Sequence, residues 1–204
     1  MKHVLSVLAL AAAFSLAAPA FAQSSGATYR AIASGALEEP PNASAGNSLT
    51  AIEINGRQLL VDAPFRDLTG TTVAAHIHCC TTEAFRGVAP VAVPFDDFPT
   101  GVRAGEYSAA ISLGLASSYD PAFLAANGGT VQGAYSALVD GVDANQAYVN
   151  IHTSAYPNGE IRGFLVAAPI PEPAEWAMLG AGLAGLLWMG RRRRAELPLG
   201  LHRS

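Results

Sequence analysis

The chain has 204 residues and a formal charge of −4. Both ends read as sorting segments, which leaves residues 23–170 (148 residues) to fold as a single domain with one core. Inside that stretch six Arg and no Lys stand against 13 Asp and Glu, a balance of −7. Such a balance excludes nucleic acid as the main partner, and 50% apolar residues with only 14% charged ones exclude intrinsic disorder.

Residues 1–22 have the order of a signal peptide: Lys2 and His3, an apolar run from Val4 to Ala18, Pro19, then the small-x-small Ala20-Phe21-Ala22. Cleavage before Gln23 and export are the expectation. Strand formers follow at 29–37, before the loop Glu38-Glu39-Pro40-Pro41-Asn42. Alternation over 49–54 and 58–65 around Asn55-Gly56 predicts a hairpin. Further strands are expected at 72–78, 91–95 and 107–113, and short helices at 120–126 and 131–138 around Gly128-Gly129. A second hairpin, 148–152 with 161–167, turns at Pro157-Asn158-Gly159. About seven short strands predict an all-β fold, an antiparallel β-sandwich or barrel.

Pro169, Pro171 and Pro173 end regular structure, and residues 171–204 read as a tail. Its run 176–190 holds 15 residues without a charge before Arg191–Arg194. As a helix the run is about 22 Å long, short for a hydrocarbon core of about 30 Å. Arginine snorkelling, Trp176 and Trp188 as interface anchors and local thinning would close the gap, with the Arg cluster on the cytoplasmic side.

The chemistry-bearing residues gather in two segments. All three histidines of the domain fall in His76-Ile77-His78-Cys79-Cys80 and Tyr148-Val149-Asn150-Ile151-His152-Thr153. Residues two apart on a strand share a face with Cα atoms about 7 Å apart, so His76 and His78 can reach one ion. The metal reading is Cu or Zn held by His76, His78 and His152, with Glu160 or Asn150 behind the ligands and binding that weakens as pH falls through about 6.5. The alternative is a set of hydrogen-bonded polar residues buttressing strand ends. Cys79-Cys80 reads either as a vicinal disulfide, strained on the 3.8 Å Cα spacing of adjacent residues and therefore easily reduced, or as thiols, an intermolecular link or soft ligands beside the imidazoles. No catalytic set is expected: Ser154 beside His152 lacks a nucleophile elbow, and Glu38-Glu39 and Asp96-Asp97 read as solvated loop charges. The Asn42-Ala43-Ser44 sequon is expected to be idle.

Two family resemblances attach to these motifs. Pro171-Glu172-Pro173, an apolar run opening Trp176-Ala177-Met178-Leu179, and Arg191–Arg194 together resemble a PEP-CTERM sorting tail. The resemblance implies recognition by exosortase-type machinery, processing near the Pro-Glu-Pro and delivery to the cell surface or extracellular matrix. Ala195–Ser204 departs from it by running ten residues past the basic cluster. Gly35-Ala36-Leu37-Glu38-Glu39-Pro40-Pro41-Asn42, Ala75-His76-Ile77-His78, Tyr148–Thr153 and Pro157-Asn158-Gly159-Glu160-Ile161-Arg162-Gly163 resemble a CHRD domain over about 28–167, with Cys79-Cys80 a departure from its general pattern. That resemblance implies an all-β domain of secreted proteins and transfers no catalytic residue. Taken together, the expected function is a non-enzymatic binding or structural role in the bacterial envelope or matrix, anchored in the membrane through the C-terminal helix until processing. A metal-binding or redox-active exported protein is the alternative.

Overall fold

The structure is a computed structural model, and it describes residues 26–168 and 173–195. The expected signal peptide, its cleavage site and Pro169–Glu172 lie outside the described residues. Nine strands form one antiparallel sheet: β1 Ala27–Ser34, β2 Asn47–Asn55, β3 Gln58–Arg66, β4 Thr72–His78, β5 Val91–Pro94, β6 Gly105–Ser112, β7 Tyr148–Thr153, β8 Ile161–Phe164 and β9 Val166–Ala167. Their order is β5-β4-β7-β8-β1-β2-β3-β6, with β9 also on β1. The antiparallel all-β class expected from the sequence is met by one continuous sheet curled into a half-barrel. Helices α1 (Pro121–Ala126) and α2 (Val131–Asp143) follow β6, and α3 (Pro173–Ala195) ends the described chain.

Strict alternation builds the meander β1-β2-β3-β6. On β3, Leu59, Val61, Ala63 and Phe65 are buried while Gln58, Leu60, Asp62, Pro64 and Arg66 are exposed, the period of two that a sheet with one wet face requires. The hairpin turn falls one residue later than Asn55-Gly56 suggested, because Asn55 pairs with Gln58 and leaves Gly56-Arg57 as the turn. Strands β4, β7 and β8 are different. Ile77, Val149, Ile151 and Ile161 enter the core on one face, yet His78, Tyr148, Asn150 and Arg162 on the other face are buried too. Loops cover that second face, which is why these strands read less cleanly as alternating.

Helix α1 starts at Asp120, whose carboxylate accepts from the Ala122 N–H at 2.8 Å, with Pro121 in the first turn. Helix α2 is capped by Thr130 on the Gly133 N–H and presents Ala134, Leu138 and Val142 to the core. It runs five residues beyond the expected end at Leu138. Gly141, poor in helix propensity, is kept by packing: a Cβ there would overlap the sulfurs of both Cys79 and Cys80.

Those sulfurs form a disulfide, across a cis Cys79-Cys80 peptide that sets the Cα atoms 3.0 Å apart. The 3.8 Å expected between adjacent Cα atoms is the spacing of a trans bond, and the cis peptide replaces it. Both sulfurs lie over the Ala137 carbonyl on the α2 side, at 3.8 and 3.3 Å, so neither cysteine is a thiol ligand beside the imidazoles.

Candidate metal centre

The register places the histidines together. β4 and β7 are neighbours, with His76 opposite Asn150, His78 opposite Tyr148 and Ala74 opposite His152. Period-two geometry then sends His76, His78, Asn150 and His152 to one face, as their spacing implied. Ring centroids are 4.9 Å apart for His76–His152, 5.6 Å for His76–His78 and 5.7 Å for His78–His152. One nitrogen of each ring lies within 4.8 Å of the other two.

The outward nitrogens of two rings are fixed. His78 Nδ1 lies 2.8 Å from the Ala89 carbonyl and His152 Nδ1 3.0 Å from the Pro157 carbonyl. A carbonyl only accepts, so Nδ1 carries the hydrogen in both rings and Nε2 keeps its lone pair. Both Nε2 atoms are buried without a partner, and so is Nδ1 of His76. Three buried ring nitrogens without a hydrogen-bond partner, gathered on one face of β4 and β7, form a donor set that a cation would satisfy. Around an ion at 2.0–2.1 Å, nitrogens stand about 3.4 Å apart, so small ring rotations close the set and leave a fourth position open.

Burial pushes His76 down to about 4, with the other two imidazoles adding to it against the opposing pull of Asp120. Burial likewise takes His78 to about 4, opposed by the Ala89 carbonyl. His152 is lowered by burial, again against its carbonyl partner. His76 and His78 are therefore neutral, and competent as ligands, well below the pH of 6.5 that isolated imidazoles suggest, and His152 shifts in the same direction.

Asn150 lies on this face, but Glu160 does not stand behind the ligands. Its buried carboxylate accepts from Ser44 Oγ, Thr153 Oγ1 and the Thr69 and Gly70 N–H groups, a set that ties the β3–β4 connection to β7. Burial alone would raise its pKa; these four donors outweigh it and hold Glu160 below the usual range. Ser154 is occupied by Thr71, whose N–H donates to its Oγ at 3.0 Å. Asn42, the sequon residue, accepts from the Ser44 N–H and donates to the Glu160 carbonyl.

Sequence reasoning missed Arg162, Tyr148 and Glu38. Arg162, 4% exposed, donates to the Leu37 and Gly87 carbonyls and to Glu39, and lies 5.0 Å over the Tyr148 ring. Tyr148 stacks on His78 at 4.9 Å with planes 2° apart, and its hydroxyl receives the Ala89 N–H, so the same loop orients His78 twice. Glu38 is buried rather than solvated. Burial pushes its carboxyl up to about 7 against the pull of Arg162, and its Oε1 lies among the Asn150 amide atoms where a Cβ on Gly159 would stand. The signal available for these residues was their place inside the Gly35–Asn42, Tyr148–Thr153 and Gly159–Gly163 motifs; that Glu38, from the loop after β1, packs beside Asn150 of β7 and under Arg162 of β8 is a long-range arrangement.

The CHRD domain family model matches residues 29–165, which takes in all three histidines. This chain belongs to the CHRD domain family. No curated protein and no solved structure matches it. In this CHRD domain the matched stretch begins on β1 and ends at Leu165, between β8 and β9, so the family's span and the curled sheet coincide.

Proposed function

We propose that this CHRD domain is an exported, surface-sorted, non-enzymatic protein that holds a copper or zinc ion between His76, His78 and His152 and serves a binding or structural role at the envelope or in the extracellular matrix. The observation that carries the metal reading is the convergence of three buried, unpartnered imidazole nitrogens within 4.8 Å, two of them with tautomers fixed by carbonyls. Calorimetric titration of the chain with Zn²⁺ and Cu²⁺ tests it. One ion per chain is expected for the parent and none for a His76→Ala/His78→Ala variant; equal, weak heats from both would sink the proposal. Saturating metal at 100 to 1,000 times Kd should stabilise the parent alone by about 3–4 kcal/mol.

The sorting half of the proposal rests on the signal-peptide order of residues 1–22 and on the Pro-Glu-Pro, apolar run and Arg cluster of the tail. Among the described residues no helix is long and apolar enough to cross a membrane. Met178, Leu179, Leu183, Leu186, Leu187 and Met189 of α3 are nonetheless all exposed, which supports a segment separate from the domain core that offers an apolar surface to lipid. Deleting Trp176–Ser204 should leave a folded, soluble domain whose β spectrum is unchanged, and the exported protein should begin at Gln23. Aggregation of the truncated chain, or an intact Met1 in the mature protein, would contradict this.

A further inference from the structure

Resting on the metal reading, we infer that the centre is an exchange site rather than a permanent structural one, and that its cation enters past His76 from the groove edged by Asp96 and Asp97. The three ligands are not equivalent. His78 is held by the Ala89 carbonyl and by stacking on Tyr148, and His152 by the Pro157 carbonyl. His76 has no hydrogen bond on either ring nitrogen among the described residues; it is partly buried, as His152 is, whereas His78 is 8% exposed. Two ligands are therefore oriented in advance, and the third is free to swing about its side-chain torsions.

The swinging ligand also meets solvent. His76 lines an open groove of about 440 Å³ between β4 and the 94–100 segment, together with Pro94, Asp96, Asp97 and Phe98. Asp96 and Asp97 are exposed and have neither a hydrogen-bond nor an ion-pair partner among the described residues, so their charge is available to a passing cation. Asp120, whose field acts on His76, adds a third negative charge nearby. A groove with one sign of charge raises the local concentration of the opposite ion and its association rate, an effect that salt removes. A structural ion closed in by four fixed ligands would need neither the loose ligand nor the acidic approach.

Stopped-flow mixing of the full chain with Cu²⁺, followed by quenching of protein fluorescence, tests this. The Asp96→Asn/Asp97→Asn variant should associate about 3- to 10-fold more slowly than the parent at low ionic strength. The two should converge at high salt, with dissociation rates the same throughout. A Glu53→Gln/Asp62→Asn variant, which removes the same charge from β2 and β3, should keep the parent's association rate. An unchanged rate in the Asp96/Asp97 variant, or an equal slowing in the Glu53/Asp62 variant, would overturn groove entry while leaving the metal centre standing. A parent chain that binds no Cu²⁺ at equilibrium would overturn both.

Discussion

Glu160→Gln should lower the stability of this domain by about 3–5 kcal/mol, the largest single-residue effect expected from a polar group here. Glu160 is wholly buried, and its oxygens accept from Ser44 Oγ and Thr153 Oγ1 at 2.5 and 2.6 Å and from the Thr69 and Gly70 N–H groups at 2.5 and 3.0 Å. All four partners donate in this arrangement. A glutamine of the same shape turns one oxygen into an NH₂ group facing donors, and removes the charge that strengthens the remaining bonds. Urea unfolding of parent and variant reads the difference, with Ser44→Ala expected to cost only about 1 kcal/mol because its carboxylate partner keeps three donors. A loss below 1 kcal/mol for Glu160→Gln would mean that the network does not hold the β3–β4 connection. Because Glu160 faces away from the histidines, metal stoichiometry of the folded variant should match the parent.

The second large effect is the acid sensitivity of the metal-free chain. His76 and His78, taken by burial to about 4, and His152, lowered by burial, bind fewer protons when folded than when unfolded. Their contribution is complete above the unfolded pKa of about 6.5 and is lost as pH falls towards 4. Glu38 has the opposite sign. Burial raises it to about 7, so the folded chain holds its proton more tightly, and its contribution is present at low pH and lost as pH rises through 7. Between about pH 4.5 and 6.5 unfolding should therefore take up as many as about two protons net, three imidazoles against one carboxyl. Thermal unfolding across this range should show Tm falling with pH in the parent. In a His76→Gln/His78→Gln/His152→Gln variant the trend should reverse, because Glu38 then dominates. A variant that keeps the parent's slope would place the acid sensitivity elsewhere, and bound Zn²⁺ should steepen the parent's slope because protons compete for its ligands.

Local pattern alone determined most of the secondary structure of this protein. Alternation on β3, the Asp120-Pro121 start of α1 and the motif at 148–153 set the elements to within a few residues, because a strand face and a helix cap are short-range properties. Spacing also fixed that His76 and His78 share a face, and that Asn150 and His152 share one, since the period of a strand is local. What the tertiary structure decided was adjacency. That β4 lies beside β7, with Ala74 opposite His152, depends on a sheet order joining residues some 75 positions apart, which no window of sequence contains. The long-range fold also buried Glu38 under Arg162, moved Glu160 from the ligands to the Thr69–Gly70 turn, and carried α2 through Gly141 onto the Cys79–Cys80 disulfide. In each case a local preference, a charged loop, a carboxylate near a histidine or a helix-breaking glycine, was overridden by the need to satisfy or pack groups brought in from distant parts of the chain.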